Sequence, residues 1–148
     1  MHLVNRLLKF IVAGSCLFMS IAYAADSDKL VVVTNIKTPV ESLSKEELID
    51  LFMGRYVAFP DGSGAKPIDV RNGAGIKKEF YRQLLGLSLA RVNSYWSRLR
   101  FTGKSQPPKQ VENLKDVKQA IQTDNEVIAY IYQSQVDESM KVVYQFEY

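Results

Sequence analysis

The sequence predicts an α/β protein with a central mixed sheet flanked by helices. Short β-branched runs, such as LVVVT at residues 30–34, alternate along the chain with segments whose apolar residues recur at helical spacing. This alternation is typical of a sheet that helices cover on both faces. The chain has 148 residues and shows no internal repeat or low-complexity tract, which favours one domain.

Five segments have strand character. Each is short, contains β-branched or aromatic residues and is bounded by polar or turn residues. The second ends in a turn cluster that runs from Pro60 to Gly64. The five segments are residues 30–34, 56–59, 67–70, 126–132 and 140–148.

Four segments have helical periodicity. Ser44 and Glu47 have the spacing of a capping box, and Gly54 suits the end of that first helix. Gly86 ends the second helix and Ser88 caps the third, while a double proline excludes a helix from the loop that follows. The helices are expected at residues 45–53, from about 76 to 85, at 89–100 and at 114–122, with a helical turn or short helix at 133–139.

The first 24 residues have the layout of a secretory signal peptide: a basic start, an apolar run and the small-x-small site AYA at 22–24. An uncleaved anchor is one alternative, but an anchor usually needs about 20 apolar residues. A lipoprotein signal at Cys16 is another, and it fits less well because Ala13 stands where a large aliphatic residue is expected. We expect a protein that is secreted through this cleavable signal, with residues 25–148 as the mature domain.

Cleavage would remove His2 and Cys16, the only histidine and the only cysteine of the chain. The mature domain then has no disulfide, no thiolate nucleophile, no Ser-His-Asp triad and no Cys/His zinc site. We therefore expect a protein that is not an enzyme and needs no cofactor. A carboxylate-only or calcium-assisted enzyme remains the alternative.

The mature charge is nearly balanced. The chain has 19 basic and 16 acidic residues, and two of the basic ones lie in the signal segment, so 19 − 2 − 16 leaves about +1. Proteins that bind nucleic acid without sequence preference usually have a stronger basic excess. We expect no nucleic-acid partner.

The segment DVRNGAGIKKEF, residues 69–80, has the shape of an anion-binding loop. A strand ends, small residues allow a tight turn, and a helix begins at about Ile76. The first N–H groups of a helix have no internal partner, and the helix dipole adds partial positive charge there. Arg71 adds a guanidinium whose fork suits an oxyanion, and Lys77 adds charge.

The structural alternative is that this segment is an ordinary turn followed by solvated lysines. The sequence does not match the Walker pattern of nucleotide-binding loops. The residues expected to bind the anion are Arg71, Asn72, Gly73, Ala74, Gly75, Ile76 and Lys77.

The segment YWSRLRFTGK, residues 95–104, interleaves aromatic and basic side chains. Such a pattern can form a stacking platform for bases or sugars. Trp96, however, aligns with Val92 on the apolar face of the helix, which favours an ordinary core helix with solvated arginines.

Glu46, Glu47 and Asp50 place three carboxylates on one helix. Paired carboxylates serve acid–base chemistry or calcium binding. Acidic residues in the first turn of a helix also favour its dipole, and this is the simpler interpretation.

Several motifs occur in the order found in the phosphate-binding proteins of bacterial ABC-type phosphate transporters. They are LVVVTN, LSKEELIDLFMGRYVAFPDG, PIDVR before a glycine loop, EFYRQLLG, YWSRLRFTGKSQPP and VIAYI. Over residues 30–146 the chain resembles the short, stand-alone members of this family. The resemblance implies a type II periplasmic-binding-protein fold, which in the family has two α/β lobes with a ligand cleft between them. This chain has the length of one lobe and looks like the second.

The resemblance also shows where the site departs from the family pattern, Arg-x-Asp-x-Ser-Gly-Thr. Arg71 matches the arginine, Gly73 stands at the aspartate, and residues 74–76, with a one-residue slip, occupy the Ser-Gly-Thr place. Both hydroxyls and the carboxylate are absent. Because each lost hydrogen bond to a charged group weakens binding by roughly 1.5–3 kcal/mol, only weak binding is implied.

Two functions fit the sequence. The first is a periplasmic solute-binding-like protein that binds phosphate or a related oxyanion for transport or sensing. It would act with an inner-membrane transporter or sensor, and a homodimer would supply the second wall of the cleft. The second is an envelope interaction or signalling module that kept the fold and lost the ligand.

Overall fold

The computed structural model describes residues 28–71, 74–103 and 105–147. The expected signal peptide at residues 1–24, with His2 and Cys16, lies outside the described residues. So do Asn72 and Gly73 of the expected anion loop and Lys104 of the aromatic and basic segment.

The described residues contain strands and helices in alternation. The longest of these helices has 14 residues, and within the described ranges no helix has the length and apolar character needed to span a bilayer. The strands are β1 (Leu30–Asn35), β2 (Lys66–Val70), β3 (Lys109–Val111), β4 (Val127–Tyr132) and β5 (Met140–Gln145). The helices are α1 (Lys45–Phe52), α2 (Ala74–Leu85), α3 (Leu89–Thr102) and α4 (Leu114–Thr123). A 3₁₀ turn spans Gln133–Gln135.

The strands form one mixed sheet in the order β3-β2-β4-β1-β5. β2 is parallel to β3 and β4, whereas β1 is antiparallel to both of its neighbours, β4 and β5. β2, β3, β4 and β5 therefore point the same way, and their carboxyl ends lie at one edge of the sheet, termed here the carboxyl edge. Because Leu30 pairs with Tyr132, β1 starts at this same edge.

Helices cover both faces of the sheet. On one face, α1, α2 and α3 pack over residues that include Val32 and Tyr130. On the other face, α4 packs Val117 and Ile121 against Val33 and its neighbours. Alternate residues of β1 thus enter opposite layers, which explains why this central strand is an unbroken apolar run.

Local signals set the helix ends as expected. Ser44 Oγ accepts from the Glu47 N–H at 3.2 Å, and Glu47 Oε2 accepts from the Ser44 N–H at 2.7 Å, so the capping box is complete. Ser88 Oγ accepts a backbone N–H of the first turn of α3 at 3.4 Å. Gly54 and Gly86 follow α1 and α2 with φ of +69° and +68°, the left-handed conformation that ends many helices.

The prediction of a strand at residues 56–59 is wrong. Only one isolated bridge forms there, between Ala58 and Gly64. The Phe59 side chain is buried, and the Gly62 N–H donates to the Phe59 carbonyl at 2.9 Å, so the chain reverses at once. The buried Phe59 side chain therefore anchors a turn, and no strand ladder forms.

The start of one helix and the presence of one strand also differ from the expectation. α2 begins at Ala74, because Ala74 and Gly75, expected in the loop, form its first turn before Ile76. The sequence does not predict β3, since its double proline indicates a loop and the three residues after it are too few to show a period. In the structure these three residues pair in parallel with β2 at the edge of the sheet.

Candidate functional site

The expected anion loop lies at the carboxyl edge, between the last residue of β2, Val70, and the first residue of α2, Ala74. β3 ends beside it, because the Arg71 N–H donates to the Val111 carbonyl at 2.8 Å. α4 begins soon after β3, at Leu114, so two helix N-termini lie at this edge. Helix N-termini present N–H groups that lack intrahelical partners, together with partial positive charge, so both are concentrated at this edge.

The Arg71 guanidinium forms an ion pair at this edge. Its Nη1 lies 3.0 Å from Glu112 Oε1, and the two side chains are 60% and 49% exposed. An exposed ion pair contributes only about 0–1 kcal/mol, so an oxyanion can compete with Glu112 for the guanidinium. Sequence reasoning misses Glu112 as a partner because it misses β3, the strand that precedes it.

Lys77 contacts a buried carboxylate. Its Nζ lies 2.9 Å from Asp69 Oδ2, and the two side chains are 13% and 4% exposed. This pair explains why a cation is tolerated in the first turns of α2, where it would otherwise oppose the helix dipole. Lys77 therefore neutralises Asp69, and its contact with an anion stays a hypothesis.

Two buried tyrosines complete the surroundings of Asp69. Tyr130 donates its hydroxyl to Asp69 Oδ1 at 3.0 Å, and the Tyr81 hydroxyl lies 3.1 and 3.2 Å from the two carboxylate oxygens. Burial and, secondly, the charge of Asp69 raise the pKa of both phenols above the ordinary value. The network joins β2, α2 and β4, and its carboxylate, Asp69, lies two residues before Arg71 in the chain.

Sequence reasoning misses this network, although one signal for it is present. Ile68 and Val70 of β2 both belong to the apolar layer under α4, so Asp69 between them must face the opposite layer. A lone acid on the inner face of a strand requires buried donors. Tyr81 and Lys77, spaced four residues apart on α2, are two of those donors.

A small hollow opens at the carboxyl edge between the beginnings of α2 and α4. Its volume is about 220 Å³, its walls are mainly apolar, and two amide side chains line it. It is termed here the edge pocket. Its lining includes Val70, Ile76, Leu114 and Tyr132, with the amides of Asn113 and Gln135.

A larger hollow, of about 550 Å³, lies at the end of β5 beside the C-terminal half of α2, where Arg82 and Tyr144 line it. None of the described residues of the expected anion site lines it. In the part of the chain that the structure describes, no group of three or more His, Cys, Asp or Glu residues is placed to hold a metal ion.

The simpler interpretations of the two other motifs are confirmed. Trp96 is buried on the inner face of α3, and Arg98 and Arg100 are exposed, so the part of this segment around Trp96 is a core helix with solvated bases; Phe101, near the end of α3, is exposed. On α1, Glu47 completes the capping box, and Asp50 Oδ1 lies 3.1 Å from Arg55 Nη1. These carboxylates cap the helix and pair with a neighbouring cation.

Solved structures of phosphate-binding proteins share this fold, whereas neither protein-family models nor curated protein sequences match the chain. One similar structure is an ABC-type phosphate transport receptor from Vibrio cholerae, with 17% identity and a TM-score of 0.61. A second is a candidate phosphate ABC transporter substrate-binding protein from Clostridium perfringens with bound phosphate, with 18% identity and a TM-score of 0.62. A third is a candidate phosphate-binding protein from Planctomyces limnophilus, with 14% identity and a TM-score of 0.58.

These matches cover 78% of this chain but only 45%, 44% and 40% of the respective solved chains. The chain therefore spans less than half the length of the proteins that it matches. The expected α/β architecture, a single lobe of a periplasmic-binding-protein fold with a central mixed sheet, is confirmed.

Proposed function

We propose that the protein is a periplasmic solute-binding-like protein that binds phosphate or a related small oxyanion. The observation that carries the proposal is the position of Arg71, which follows a parallel strand and precedes a 12-residue helix at the carboxyl edge. In open α/β sheets, ligands bind outside the carboxyl ends of the strands. The shared fold of three proteins described as phosphate receptors or candidates for that role supports the same assignment.

Each proposed site residue has a chemical role. Arg71 supplies a planar guanidinium that can make two parallel hydrogen bonds to an oxyanion. Ala74, Gly75, Ile76 and Lys77 supply the unpaired N–H groups of the first turn of α2, and Lys77 adds a nearby charge. Asn72 and Gly73, which lie outside the described residues, complete the proposed loop.

Binding through this set is expected to be weak. Glu112 competes for the guanidinium, Asp69 neutralises Lys77, and the first turn of α2 carries no hydroxyl. We expect a dissociation constant in the millimolar range, about −4 kcal/mol.

The test is calorimetry of the protein with phosphate, sulfate and arsenate. Arg71→Ala should weaken phosphate binding at least tenfold, because a hydrogen bond between charged groups contributes roughly 1.5–3 kcal/mol. Glu112→Gln should tighten it by up to about fivefold, because the competing exposed pair contributes at most about 1 kcal/mol. The two substitutions are thus expected to change the phosphate affinity of one site in opposite directions.

Arg98→Ala is the matched control, because Arg98 is an exposed arginine on α3, outside the proposed site. It should leave the affinity unchanged. The proposal fails if none of the three anions binds at 10 mM, or if Arg71→Ala and Arg98→Ala have the same effect.

The second candidate is an envelope interaction module. Phe101 is 94% exposed and Val57 is 80% exposed, and a protein partner that covered either of these large apolar side chains would remove its surface from water. A defined envelope partner that is retained by Arg71→Ala and lost by Phe101→Ser would support this function over oxyanion binding.

The cellular setting follows from the expected signal peptide and is part of the proposal. The exported protein would act in transport or sensing, together with an inner-membrane transporter or sensor, and as a binding protein rather than an enzyme. A homodimer would close the cleft that one lobe leaves open. Sedimentation analysis with and without 10 mM phosphate tests this, since ligand-dependent closure predicts more dimer when phosphate is present.

A further inference from the structure

The edge pocket lies at a point of the sheet that commonly holds ligands. β2 continues into α2 on one face of the sheet, and its neighbour β3 continues into α4 on the other face. Open α/β sheets bind small molecules where connections diverge to opposite faces at the carboxyl ends of parallel strands. The pocket adjoins the proposed anion site in the chain, because Val70 precedes Arg71 and Ile76 belongs to the first turn of α2.

The walls of the edge pocket suit a hydrocarbon group. Ile76 and Leu114 come from the first turns of two helices, and Val70 and Tyr132 end two parallel strands. A phosphate ion against the aliphatic side chains of these walls would lose hydration without gaining donors there, which is unfavourable. The volume of about 220 Å³ lies below the roughly 300–1,000 Å³ of pockets for drug-sized ligands, so the group must be small.

Two amides supply donors beside the apolar walls. Asn113 Oδ1 accepts from the Asp116 N–H at 3.2 Å, and Gln135 Oε1 accepts from the Tyr132 N–H at 3.0 Å. With both oxygens engaged, the amide NH₂ groups are the donors that these two side chains offer to a ligand. Such groups suit the oxygen atoms of a ligand.

The charged side chains at this edge neutralise one another in pairs. Arg71 contacts Glu112, and Lys77 contacts Asp69. Charge attraction alone therefore gives a free inorganic ion little advantage, and contacts with apolar surface become a larger share of the affinity.

We propose that the ligand is a small organic phosphate ester or phosphonate. Its anionic group would bind at Arg71 and the first turn of α2, and its organic substituent would occupy the edge pocket between Ile76 and Leu114. This inference rests on the proposed oxyanion-binding function and narrows its ligand class.

The test compares phenylphosphonate with inorganic phosphate by calorimetry. We expect phenylphosphonate to bind at least tenfold more tightly, a difference of about 1.4 kcal/mol. Leu114→Ala should reduce this preference to threefold or less, because it removes one wall of the edge pocket. Gln135→Glu, which keeps an oxygen for the Tyr132 N–H but adds a negative charge, should also weaken phenylphosphonate binding.

Leu89→Ala is the matched control for Leu114→Ala. Leu89 is the first residue of α3 as Leu114 is of α4, both follow a capping side chain, and both are partly buried. It should keep the tenfold preference. Thermal unfolding of each variant confirms that a lost preference does not reflect a lost fold.

The outcomes separate this inference from the function on which it rests. Equal affinities for phenylphosphonate and phosphate would overturn the inference and leave oxyanion binding intact. A preference that survives Leu114→Ala would place the organic group elsewhere and also overturn it. If neither compound binds at 10 mM, this inference fails, and oxyanion binding fails with it if sulfate and arsenate do not bind either.

Discussion

At the scale of single residues, Asp69 carries the most demanding chemistry of the fold. Its carboxylate is almost fully buried and is surrounded by the Lys77 ammonium and by the hydroxyls of Tyr81 and Tyr130. A buried charge is stable only when donors replace the water that it has lost. These contacts also fix the first two turns of α2, whose N–H groups form the proposed site.

Lys77→Met should destabilise the protein by about 3–5 kcal/mol, because it leaves the Asp69 charge without its cationic partner. Urea unfolding followed by circular dichroism measures this loss. Lys78→Met is the control, since Lys78 is the adjacent lysine but is exposed, and it should change stability by less than about 0.5 kcal/mol. Similar losses of stability in Lys77→Met and Lys78→Met would show that the buried pair of Lys77 and Asp69 does not stabilise the fold.

At the scale of secondary-structure elements, the end of α1 is closely packed. Gly54 has a φ of +69°, and a Cβ built on it would lie 2.2 Å from Ser105 Oγ and 2.8 Å from the Trp96 ring. The Ser105 hydroxyl also donates to the Gly54 carbonyl at 3.0 Å. This glycine therefore has two functions: it ends the helix, and it lets the loop after α3 approach.

Gly54→Ala should lower the free energy of unfolding by about 2–5 kcal/mol, the sum of a left-handed backbone and overpacking. Gly86→Ala is the matched control. Gly86 ends α2 with almost the same φ, +68°, but has no atom within 4 Å of a built Cβ, so only the backbone cost of about 1–2 kcal/mol applies. Equal losses of the free energy of unfolding in the two variants, measured by chemical denaturation, would contradict the close approach of Ser105 and Trp96 to Gly54.

Elements with a local signal were predictable from the sequence. The capping box of Ser44 and the glycines after α1 and α2 set helix ends through contacts within a few residues. β3 was not predictable, because its three residues form a strand only by pairing with β2. Residues 56–59 were wrongly assigned because burial of Phe59 in the core and strand pairing give the same apolar pattern.

At the scale of the whole molecule, stability should fall in alkaline solution. Tyr81 and Tyr130 have pKa values raised above the ordinary value of about 10, chiefly by burial. Above this pH the unfolded phenols ionise while the folded ones stay neutral. Their stabilising contribution is therefore fully present below about pH 10 and is lost as the pH rises toward the folded pKa values.

The free energy of unfolding, measured in urea from pH 8 to 11, tests this expectation. Each phenol that stays neutral in the fold adds a slope of up to about 1.4 kcal/mol per pH unit. Tyr81→Phe should reduce the slope by one such contribution. Tyr56→Phe, at an exposed tyrosine, should leave it unchanged, and equal slopes in all three proteins would refute the assignment.

The overall architecture was predictable because strands and helices alternate with clear periods, and because the order of motifs resembles one family. The surroundings of the site were less predictable. The pairing of Arg71 with Glu112 and the convergence of Asp69 with Tyr130 join residues far apart in the chain. Such contacts depend on sheet order, which single-segment patterns do not specify.

The position of β1 in the sheet also determines when the protein can fold. Its residues pair only with the last two strands, as Val31 does with Ile131 and Gln145. Contacts between such distant segments form slowly, because a long stretch of chain must be closed before they stabilise anything. The first described strand therefore cannot pair until the last two have been synthesised, so the centre of the sheet is completed only when translation of this domain is nearly finished.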